Sequence, residues 1–313
     1  MNPKTIAQRD LALLALFISL FLWWTYPRQG APADELIAVG TTTRQVILFP
    51  HVEIEARAAY IYDAKNQKVV YQKNSDESLP LASIAKLMTA YIASTLIPDH
   101  VLVRISVDDI RSEGDTGLHP DEQWNIEKLI DYSLVVSSND GISAIASTAA
   151  PQIVSPSSTT TSPSELFVNR MNDTARPLGR TSMSFANASG LDVSSTTAGA
   201  YGSAKDVALL VSHIVSYDPR LLEATSLSKG TFNSKEISHV GSNTDRSIDN
   251  IPNVLASKTG YTDLSGGNLV VEWNAGVDHP IVISILGSSY DGRFTDMEAL
   301  VKATLEYLSK KAQ

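Results

Sequence analysis

Strand-like runs lie near both ends of this chain, and helical periodicity fills the interval between them. Two β-rich runs within residues 57–72 flank the turn tetrapeptide DAKN, which predicts a hairpin. Three more runs, at residues 253–262, 266–274 and 279–289, are separated by turn residues and precede an amphipathic helix at 296–311. The pattern predicts an α+β fold: an antiparallel sheet of about five strands from both chain ends, flanked by helices, with an inserted all-helical subdomain.

The middle of the chain is predicted to be helical, with a break between two of its helices. The helical patterns lie at residues 83–97, 117–150, 165–178 and 204–216. The break falls at residues 137–139, within the second of these stretches. The Ser/Thr/Pro-rich segment 155–164 is expected to be an exposed loop.

The N-terminal segment indicates export. A cytoplasmic n-region, residues 1–10, precedes 16 uncharged residues at 11–26, which as a helix would reach about 24 Å, less than the ~30 Å of a bilayer core. We expect a short transmembrane anchor there or, alternatively, the h-region of a cleaved signal peptide. Either interpretation places the rest of the chain in the cell envelope, at the extracytoplasmic face of the cytoplasmic membrane, or exports it.

The remaining residues divide into a linker and one domain. Residues 27–56 are predicted to form a stalk that leads into the first strand, and residues 57–313 to form the folded domain. Within that domain the sheet takes about residues 57–80 and 245–313, and the helical part takes about residues 81–244.

Composition excludes several classes of function. The 313 residues include 34 acidic and 25 basic side chains, a net charge of −9, and no basic run, so a nucleic-acid partner is not expected. The chain has no cysteine, which excludes thiol and disulfide chemistry. Its six histidines are scattered and none has the spacing of a ligand motif, so a metal site is not expected.

The segment PLASIAKLMTA, residues 80–90, places Ser83 and Lys86 three residues apart at the start of an apolar helix. Residues at this spacing share a helix face, so the lysine amine can reach the serine hydroxyl. Burial and the positive end of the helix dipole both favour a neutral amine, which can take the hydroxyl proton and make the serine a nucleophile. The spacing alone is a weak signal, because Ser226 and Lys229 share it in a polar turn.

Two further motifs follow in the order that is typical of penicillin-recognising serine enzymes. Ser137 and Asn139 form the chain's one S-x-N, at the predicted break between helices. Lys258, Thr259 and Gly260 form its one K-T-G, inside a predicted strand. The alternative, structural explanation is that Ser137 and Asn139 cap the next helix and that Lys258 protects an edge strand from pairing.

With these motifs the sequence resembles the low-molecular-weight penicillin-binding proteins, which are serine-type D-alanyl-D-alanine carboxypeptidases. The resemblance runs from about Arg57 to the C-terminal helix and includes the segments DTGLHPDEQW, SSNDGISAIA, FVNRMNDTARPLG, FANASGLD and KTGYTDLSGGNLV. It implies a β-lactamase/transpeptidase-like fold.

The resemblance also implies which residues carry out the chemistry. Ser83 would be the acylated nucleophile and Lys86 its general base, and Ser137 would relay a proton to the leaving amine. The backbone N–H groups of Ser83 and Tyr261 would form the oxyanion hole.

Substrate binding would fall to the other motif residues. Asn139 would hydrogen-bond a substrate amide, and Lys258 and Thr259 would hold the terminal carboxylate. Gly260 would let the substrate backbone lie against its strand, since a side chain there would block it.

The implied activity is hydrolysis of the terminal D-Ala–D-Ala bond of peptidoglycan stem peptides, with β-lactam antibiotics as inhibitors and no metal or organic cofactor. Endopeptidase or transpeptidase activity is an alternative that uses the same groups, and a non-enzymatic penicillin-binding sensor is another. A serine β-lactamase is the remaining alternative. It needs an additional base, for which Glu165 and Asn169 have a suitable spacing.

Overall fold

The structure, a computed structural model, describes residues 47–111, 114, 116–153 and 162–311. The predicted n-region and anchor at residues 1–26, most of the predicted stalk and most of the Ser/Thr/Pro-rich loop lie outside these residues. Among the residues that are described, no helix combines the length and the apolar character needed to cross a membrane.

The described residues form twelve strands and seven α-helices. The strands are β1 (Ala58–Asp63), β2 (Lys68–Lys73), β3 (Leu79–Pro80), β4 (Leu102–Arg104), β5 (Gln123–Asn125), β6 (Ser184–Phe185), β7 (Ala200–Gly202), β8 (Lys229–Asn233), β9 (Ser238–Ser242), β10 (Val254–Thr262), β11 (Gly266–Asn274) and β12 (Pro280–Ser288). The α-helices are α1 (Lys86–Leu96), α2 (Ile126–Val135), α3 (Asn139–Ala149), α4 (Pro163–Ala175), α5 (Ala204–Tyr217), α6 (Arg220–Glu223) and α7 (Gly292–Lys311).

One antiparallel sheet joins the two halves of the described chain. Its strand order is β10-β11-β12-β1-β2, so the hairpin of β1 and β2 lies beside the last strand. The pairing of β1 with β12 runs from Ala58 opposite Leu286 to Asp63 opposite Ile281. The predicted α+β fold, with five strands drawn from both ends of the domain, is therefore confirmed.

Both faces of this sheet are buried. Leu269, Val271 and Trp273 of β11 form one core cluster with Met297 and other residues of α7. The alternate residue Val270 belongs to a second cluster, which α5 and the helical region cover. Because both faces are covered, the strand is a nearly continuous apolar run in the sequence and does not alternate with polar residues.

The residues that precede β1 pack against the layer that contains α7. Val52 and Ile54 contact that core cluster. The backbone N–H groups of Glu55 and Ala56 donate to the Asp296 carboxylate at 2.9 and 2.8 Å. These contacts fasten the start of β1 to the last helix.

The helical region is built around α1. Leu87, Met88 and Ile92 of this helix are at most 1% exposed, and α1 packs against α2, α3, α4 and α5. The region also contains three small sheets, β3-β7-β6, β4-β5 and β8-β9, which the sequence patterns did not predict. Strands of two to five residues are too short to show a clear periodicity. The central place of α1 fixes the position of the residues at its start.

Candidate active site

The S-x-x-K motif begins in a tight turn that precedes α1. Residues Ala82–Ala85 form a 3-10 turn, and the α-helix begins at Lys86, three residues later than the sequence predicts. Ala82 has a left-handed φ of +48°, which costs about 1 kcal/mol or more for a residue with a side chain. The chain bends here from β3 into the helix, and this bend places the half-buried Ser83 at an open cleft.

Lys86 lies buried beneath Ser83. Its side chain is 0% exposed, and Nζ lies 2.6 Å from Ser83 Oγ and 3.1 Å from the carbonyl oxygen of Ser189. Burial, and after it the charge of Lys258, hold the pKa of Lys86 well below its usual range. A neutral amine at this distance can accept the proton of the Ser83 hydroxyl.

The two serines of the S-x-N turn have different roles: Ser138 caps a helix, and Ser137 faces the cleft. Ser138 caps α3, because its Oγ accepts a hydrogen bond from the Gly141 N–H at 3.0 Å. Ser137 has a left-handed φ of +60°, and its Oγ lies 2.9 Å from Lys258 Nζ. The alternative in which Ser137 caps the helix is therefore wrong, since its neighbour fills that role.

Lys258 is buried, although β10 is an edge strand of the main sheet. Its side chain is 1% exposed, and Nζ donates to Ser137 Oγ and, at 3.0 Å, to the carbonyl oxygen of Thr259. Burial and the nearby charge of Arg293 lower the pKa of Lys258 to about 7, against the opposing effect of the Asp245 carboxylate. A lysine that protects an edge strand would be solvated, so this alternative is also wrong.

Thr259 and Tyr261 follow on the same strand and line the cleft together with Ser83. The hydroxyl oxygens of Thr259 and Thr244 are 2.5 Å apart. Tyr261 is 45% exposed, and its ring packs edge-on against Tyr290, with 4.9 Å between ring centroids. The strand therefore presents a hydroxyl pair inside the cleft and an aromatic pair at its rim.

Gly260 allows β10 to approach the turn that carries the nucleophile. A Cβ added to Gly260 would lie 2.7 Å from the carbonyl oxygen of Leu81 and 3.2 Å from the backbone nitrogen of Ser83. This contact within the protein gives a physical reason for a glycine that does not depend on a substrate. The same approach brings β10 close to the backbone nitrogen of Ser83, and Tyr261, the second expected oxyanion-hole donor, follows Gly260 on that strand.

Asn139 lines a recess on the other side of the S-x-N turn, together with Asn187 and Ser189. Since Ser189 also contacts Lys86, this recess lies close to the candidate base. The structure thus gathers all three motifs around one cleft and the adjoining recess. Across the part of the chain that the structure describes, no group of three or more histidine or acidic side chains could hold a metal ion.

Comparison with known proteins identifies the family. The model of peptidase family S11, D-alanyl-D-alanine carboxypeptidase, matches residues 41–289. The chain belongs to this family. It is 30% identical over 221 residues to the D-alanyl-D-alanine carboxypeptidase DacF of Bacillus subtilis, a match that covers 66% of this chain and 51% of that protein. It is 29% identical over 261 residues to the D-alanyl-D-alanine carboxypeptidase DacC of Escherichia coli, covering 79% of this chain and 60% of that protein.

Solved structures show the same architecture. Penicillin-binding protein D2 of Listeria monocytogenes, in its ampicillin-bound form, superposes with a TM-score of 0.65 and 25% identity, covering 81% of this chain and 98% of that one. The fold is therefore that of the penicillin-binding proteins. The chain spans about half to three fifths of the length of the two curated carboxypeptidases, 51% and 60%.

Two arginines that the sequence analysis did not identify also line the cleft at Ser83; they are Arg246 and Arg293. Arg293 is 4% exposed, donates from Nη1 to the Gly260 carbonyl oxygen at 3.0 Å, and stacks 4.5 Å from the Tyr290 ring centroid. Arg246 pairs with Asp291 at the rim. Neither residue lies in a local motif: Arg246 lies between β9 and β10 and Arg293 at the start of α7, and the two meet at the cleft only in the folded chain.

Two sequence candidates lie apart from this machinery. Ser226 donates its hydroxyl proton to the carbonyl of Glu223 at 2.7 Å, and Lys229 is exposed, so the second S-x-x-K holds no buried base. Glu165 is exposed and forms a capping box with Ser162 at the start of α4. This structural role speaks against Glu165 as the additional base of a β-lactamase.

Proposed function

We propose that this chain removes the C-terminal D-alanine from peptidoglycan stem peptides through an acyl-enzyme on Ser83. The observation that carries the proposal is the buried Lys86 amine, 2.6 Å from the Ser83 hydroxyl oxygen. Membership of the S11 family and relatives named D-alanyl-D-alanine carboxypeptidase support this substrate. The ampicillin-bound form of the Listeria protein supports β-lactams as ligands of this chain, and we expect them to inhibit it by acylating Ser83.

Acylation starts when Ser83 Oγ attacks the carbonyl carbon between the two D-alanines and Lys86 accepts the hydroxyl proton. The oxyanion that forms accepts hydrogen bonds from the backbone N–H groups of Ser83 and Tyr261, and one such donor is typically worth about 3 kcal/mol. Ser137, held by Lys258, relays a proton to the leaving nitrogen. The C–N bond then breaks, free D-alanine departs, and the acyl group remains on Ser83 as an ester.

Hydrolysis completes the cycle. The proton that Lys86 received has passed through Ser137 to the leaving amine, so Lys86 is again neutral and can accept a proton from water. The resulting hydroxide attacks the ester carbonyl, the bond to Ser83 Oγ breaks, and the serine recovers its proton. The shortened peptide leaves with a new C-terminal carboxylate.

Several positive and hydroxyl groups suit the terminal carboxylate of the substrate. Lys258 supplies a charge when protonated, and Thr259 and Thr244 supply a hydroxyl pair beside it. Arg293 adds a second, permanent charge in the same cleft. Asn139, which lines the recess beside the cleft, would hydrogen-bond a backbone amide of the stem peptide.

The proposal extends to location and domain organisation. The peptidase domain would take residues 57–313, with its sheet part at about 57–80 and 245–313, and act at the extracytoplasmic face of the cytoplasmic membrane. The uncharged run at residues 11–26 supports an anchor, with residues 27–56 as the connection to β1, of which Val52, Ile54 and Ala56 already pack against the domain. Fractionation of cells that express the full chain tests this: residues 47–313 in the membrane pellet with intact residues 1–26 support the anchor, and a shortened soluble form indicates cleavage.

Mass spectrometry after incubation with benzylpenicillin tests the function. We expect one covalent adduct on the peptide that contains Ser83, absent in Ser83→Ala and formed far more slowly in Lys86→Ala. Ser226→Ala is the matched control, since Ser226 has the same spacing to a lysine, and it should acylate like the wild type. An adduct at Ser226, or no adduct at all, would overturn the assignment.

A second assay separates the remaining alternatives. We expect release of free D-alanine from a peptide that ends in D-Ala–D-Ala, at a rate that depends on Ser83. An adduct without any release of D-alanine indicates a sensor. Rapid appearance of hydrolysed penicillin indicates a β-lactamase.

A further inference from the structure

A backbone carbonyl is the second partner of the Lys86 amine. Nζ lies 3.1 Å from the Ser189 carbonyl oxygen and 2.6 Å from Ser83 Oγ, and the side chain is 0% exposed, so bulk water does not compete for it. A neutral amine has two N–H groups and one lone pair. When one N–H is donated to a fixed carbonyl, rotation about the Cε–Nζ bond is restricted and the lone pair can stay directed at the serine. A freely rotating amine would often present an N–H to Ser83, an orientation in which it cannot accept the proton.

The loop that supplies this carbonyl is held together by one carboxamide. Asn187 Oδ1 accepts hydrogen bonds from the Gly190 N–H at 2.7 Å and from the Ser189 hydroxyl at 3.3 Å. Asn187 Nδ2 donates to the Leu191 carbonyl at 2.8 Å. These bonds hold the peptide unit between Ser189 and Gly190 and the residue that follows it. A side-chain turn of this kind fixes the local direction of the backbone.

The same loop is seated closely on the nucleophile turn and on α1. Gly190 has a left-handed φ of +81°, and a Cβ added there would lie 1.9 Å from the carbonyl oxygen of Ala82. Thr89 donates its hydroxyl proton to the Ala188 carbonyl at 2.7 Å. The loop is therefore located by contacts on both sides of Ser189, and Asn187 sets the direction of the carbonyl between them.

We propose that Asn187 is a positioning residue for the general base: it fixes the Ser189 carbonyl, which in turn orients the lone pair of Lys86 toward Ser83. The proposal rests on the function proposed above. All three hydrogen bonds of the Asn187 side chain are made within residues 189–191, so its effect on the chemistry passes through the loop backbone. Loss of Asn187 should therefore slow proton removal and leave the affinity for substrate unchanged.

The test measures acylation by a chromogenic penicillin over a range of concentrations, which separates the dissociation constant Kd of the first complex from the acylation rate constant k2. For Asn187→Ala we expect k2 to fall about 10- to 100-fold, part of the roughly 10²- to 10⁴-fold that a general base contributes, with Kd changed less than about twofold. Asn187→Thr keeps an oxygen that can accept the Gly190 N–H, as hydroxyl side chains do in similar turns, so its k2 should lie between those of Asn187→Ala and the wild type.

A control variant separates orientation of the base from general loosening. Asn172 holds Phe185, two residues before Asn187, with side-chain hydrogen bonds of the same kind. It donates to the carbonyls of Val168 and Phe185 at 3.1 and 2.9 Å and accepts from the Phe185 N–H at 2.9 Å. Asn172→Ala should lower the midpoint of thermal unfolding about as much as Asn187→Ala and keep a k2 close to the wild-type value.

The outcomes distinguish this proposal from the proposed function. A wild-type k2 in Asn187→Ala, an equal loss in Asn172→Ala, or a change confined to Kd would each overturn the role of Asn187. If Asn187→Ala does not fold, Asn187→Thr decides: a wild-type k2 in this variant overturns the role, and a reduced k2 with an unchanged Kd supports it. Failure of the wild type to form any adduct on Ser83 would instead overturn the proposed function.

Discussion

Lys258 Nζ lies 2.9 Å from Ser137 Oγ, a contact between residues 121 positions apart in the sequence. Lys258 belongs to the edge strand of the main sheet, and Ser137 to the turn between α2 and α3 in the inserted helical region. The S-x-x-K motif lies in the 3-10 turn before α1 and at the start of that helix. Gly260 lets the edge strand come close to Ser83 there. The cleft therefore forms where the two parts of the domain meet, and each part alone would present an incomplete set of groups.

The charge of Lys258 should make binding of carboxylate substrates depend on pH. Burial and Arg293 lower the pKa of Lys258 to about 7, so the ammonium that attracts the carboxylate is lost as the pH rises through that value. We expect KM for peptides with a free C-terminal carboxylate to increase between about pH 6 and pH 8. Lys258→Ala should raise that KM roughly 10- to 100-fold, as expected for a lost charge-assisted hydrogen bond of about 1.5–3 kcal/mol. Steady-state kinetics at several pH values provide the measurement.

Amidated peptides provide the control for this prediction. Without a carboxylate they should bind equally well to the wild type and to Lys258→Ala, and their KM should not follow the titration near pH 7. An equal loss with both kinds of peptide would contradict a carboxylate-binding role for Lys258.

The protonation of Lys86 should set the lower pH limit of acylation. The reaction needs the neutral amine, and burial holds the pKa of Lys86 well below the usual range of lysine. The acylation rate constant should therefore fall as the pH decreases through that lowered pKa and stay on its plateau above it. Both Lys86→Ala and Lys86→Arg should lower the plateau by about 10²- to 10⁴-fold, because a guanidinium keeps the positive charge but cannot accept a proton. Stopped-flow acylation across the pH range measures this, and substantial activity of Lys86→Arg would count against the role.

Much of this arrangement could be predicted from the sequence because it depends on residues that lie close together in the chain. The turn residues and β-rich runs predicted the strands of the main sheet, and the spacing of Ser83 and Lys86 predicted one shared surface. The left-handed Ala82 and the 3-10 turn were not predictable, since alanine favours a helix and the bend depends on how β3 and α1 are joined. Adjacent serines also look equivalent in sequence, and only the backbone direction shows that Ser138 caps the helix and Ser137 faces Lys258.

Gly260 should tolerate no side chain. A Cβ there would lie 2.7 Å from the carbonyl oxygen of Leu81, a backbone atom that cannot turn aside. Gly260→Ala should therefore push β10 away from the nucleophile turn, destabilise the fold by about 1–3 kcal/mol and reduce acylation of Ser83. Gly276→Ala is the matched control, because a Cβ at Gly276 meets nothing within 4 Å. Denaturant unfolding and the rate of adduct formation compare the two variants, and equal behaviour would refute the packing argument.

A buried carboxyl group on the face of the five-stranded sheet opposite to α7 should make the free energy of unfolding depend on pH. Glu272 of β11 is 2% exposed, and its Oε2 has no hydrogen-bond partner among the described residues. Burial raises the pKa of Glu272 from its ordinary value of 4.5 to about 7 in the folded chain. Between these two pH values the folded state holds a proton that the unfolded state has released, so the free energy of unfolding decreases as the pH rises, and it levels off above about pH 7.

Replacement of Glu272 by glutamine should remove this loss of stability. A shift from 4.5 to about 7 corresponds to a decrease of about 3 kcal/mol, at about 1.4 kcal/mol for each pKa unit. Glu272→Gln cannot ionise, so its free energy of unfolding should exceed that of the wild type above about pH 7 and approach it near pH 5. Urea unfolding across this range measures the difference, with Glu53→Gln at an exposed position as control. Parallel pH curves for the wild type and Glu272→Gln would mean that the carboxyl group reaches solvent or a partner, because only an isolated, buried acid keeps its proton near neutral pH.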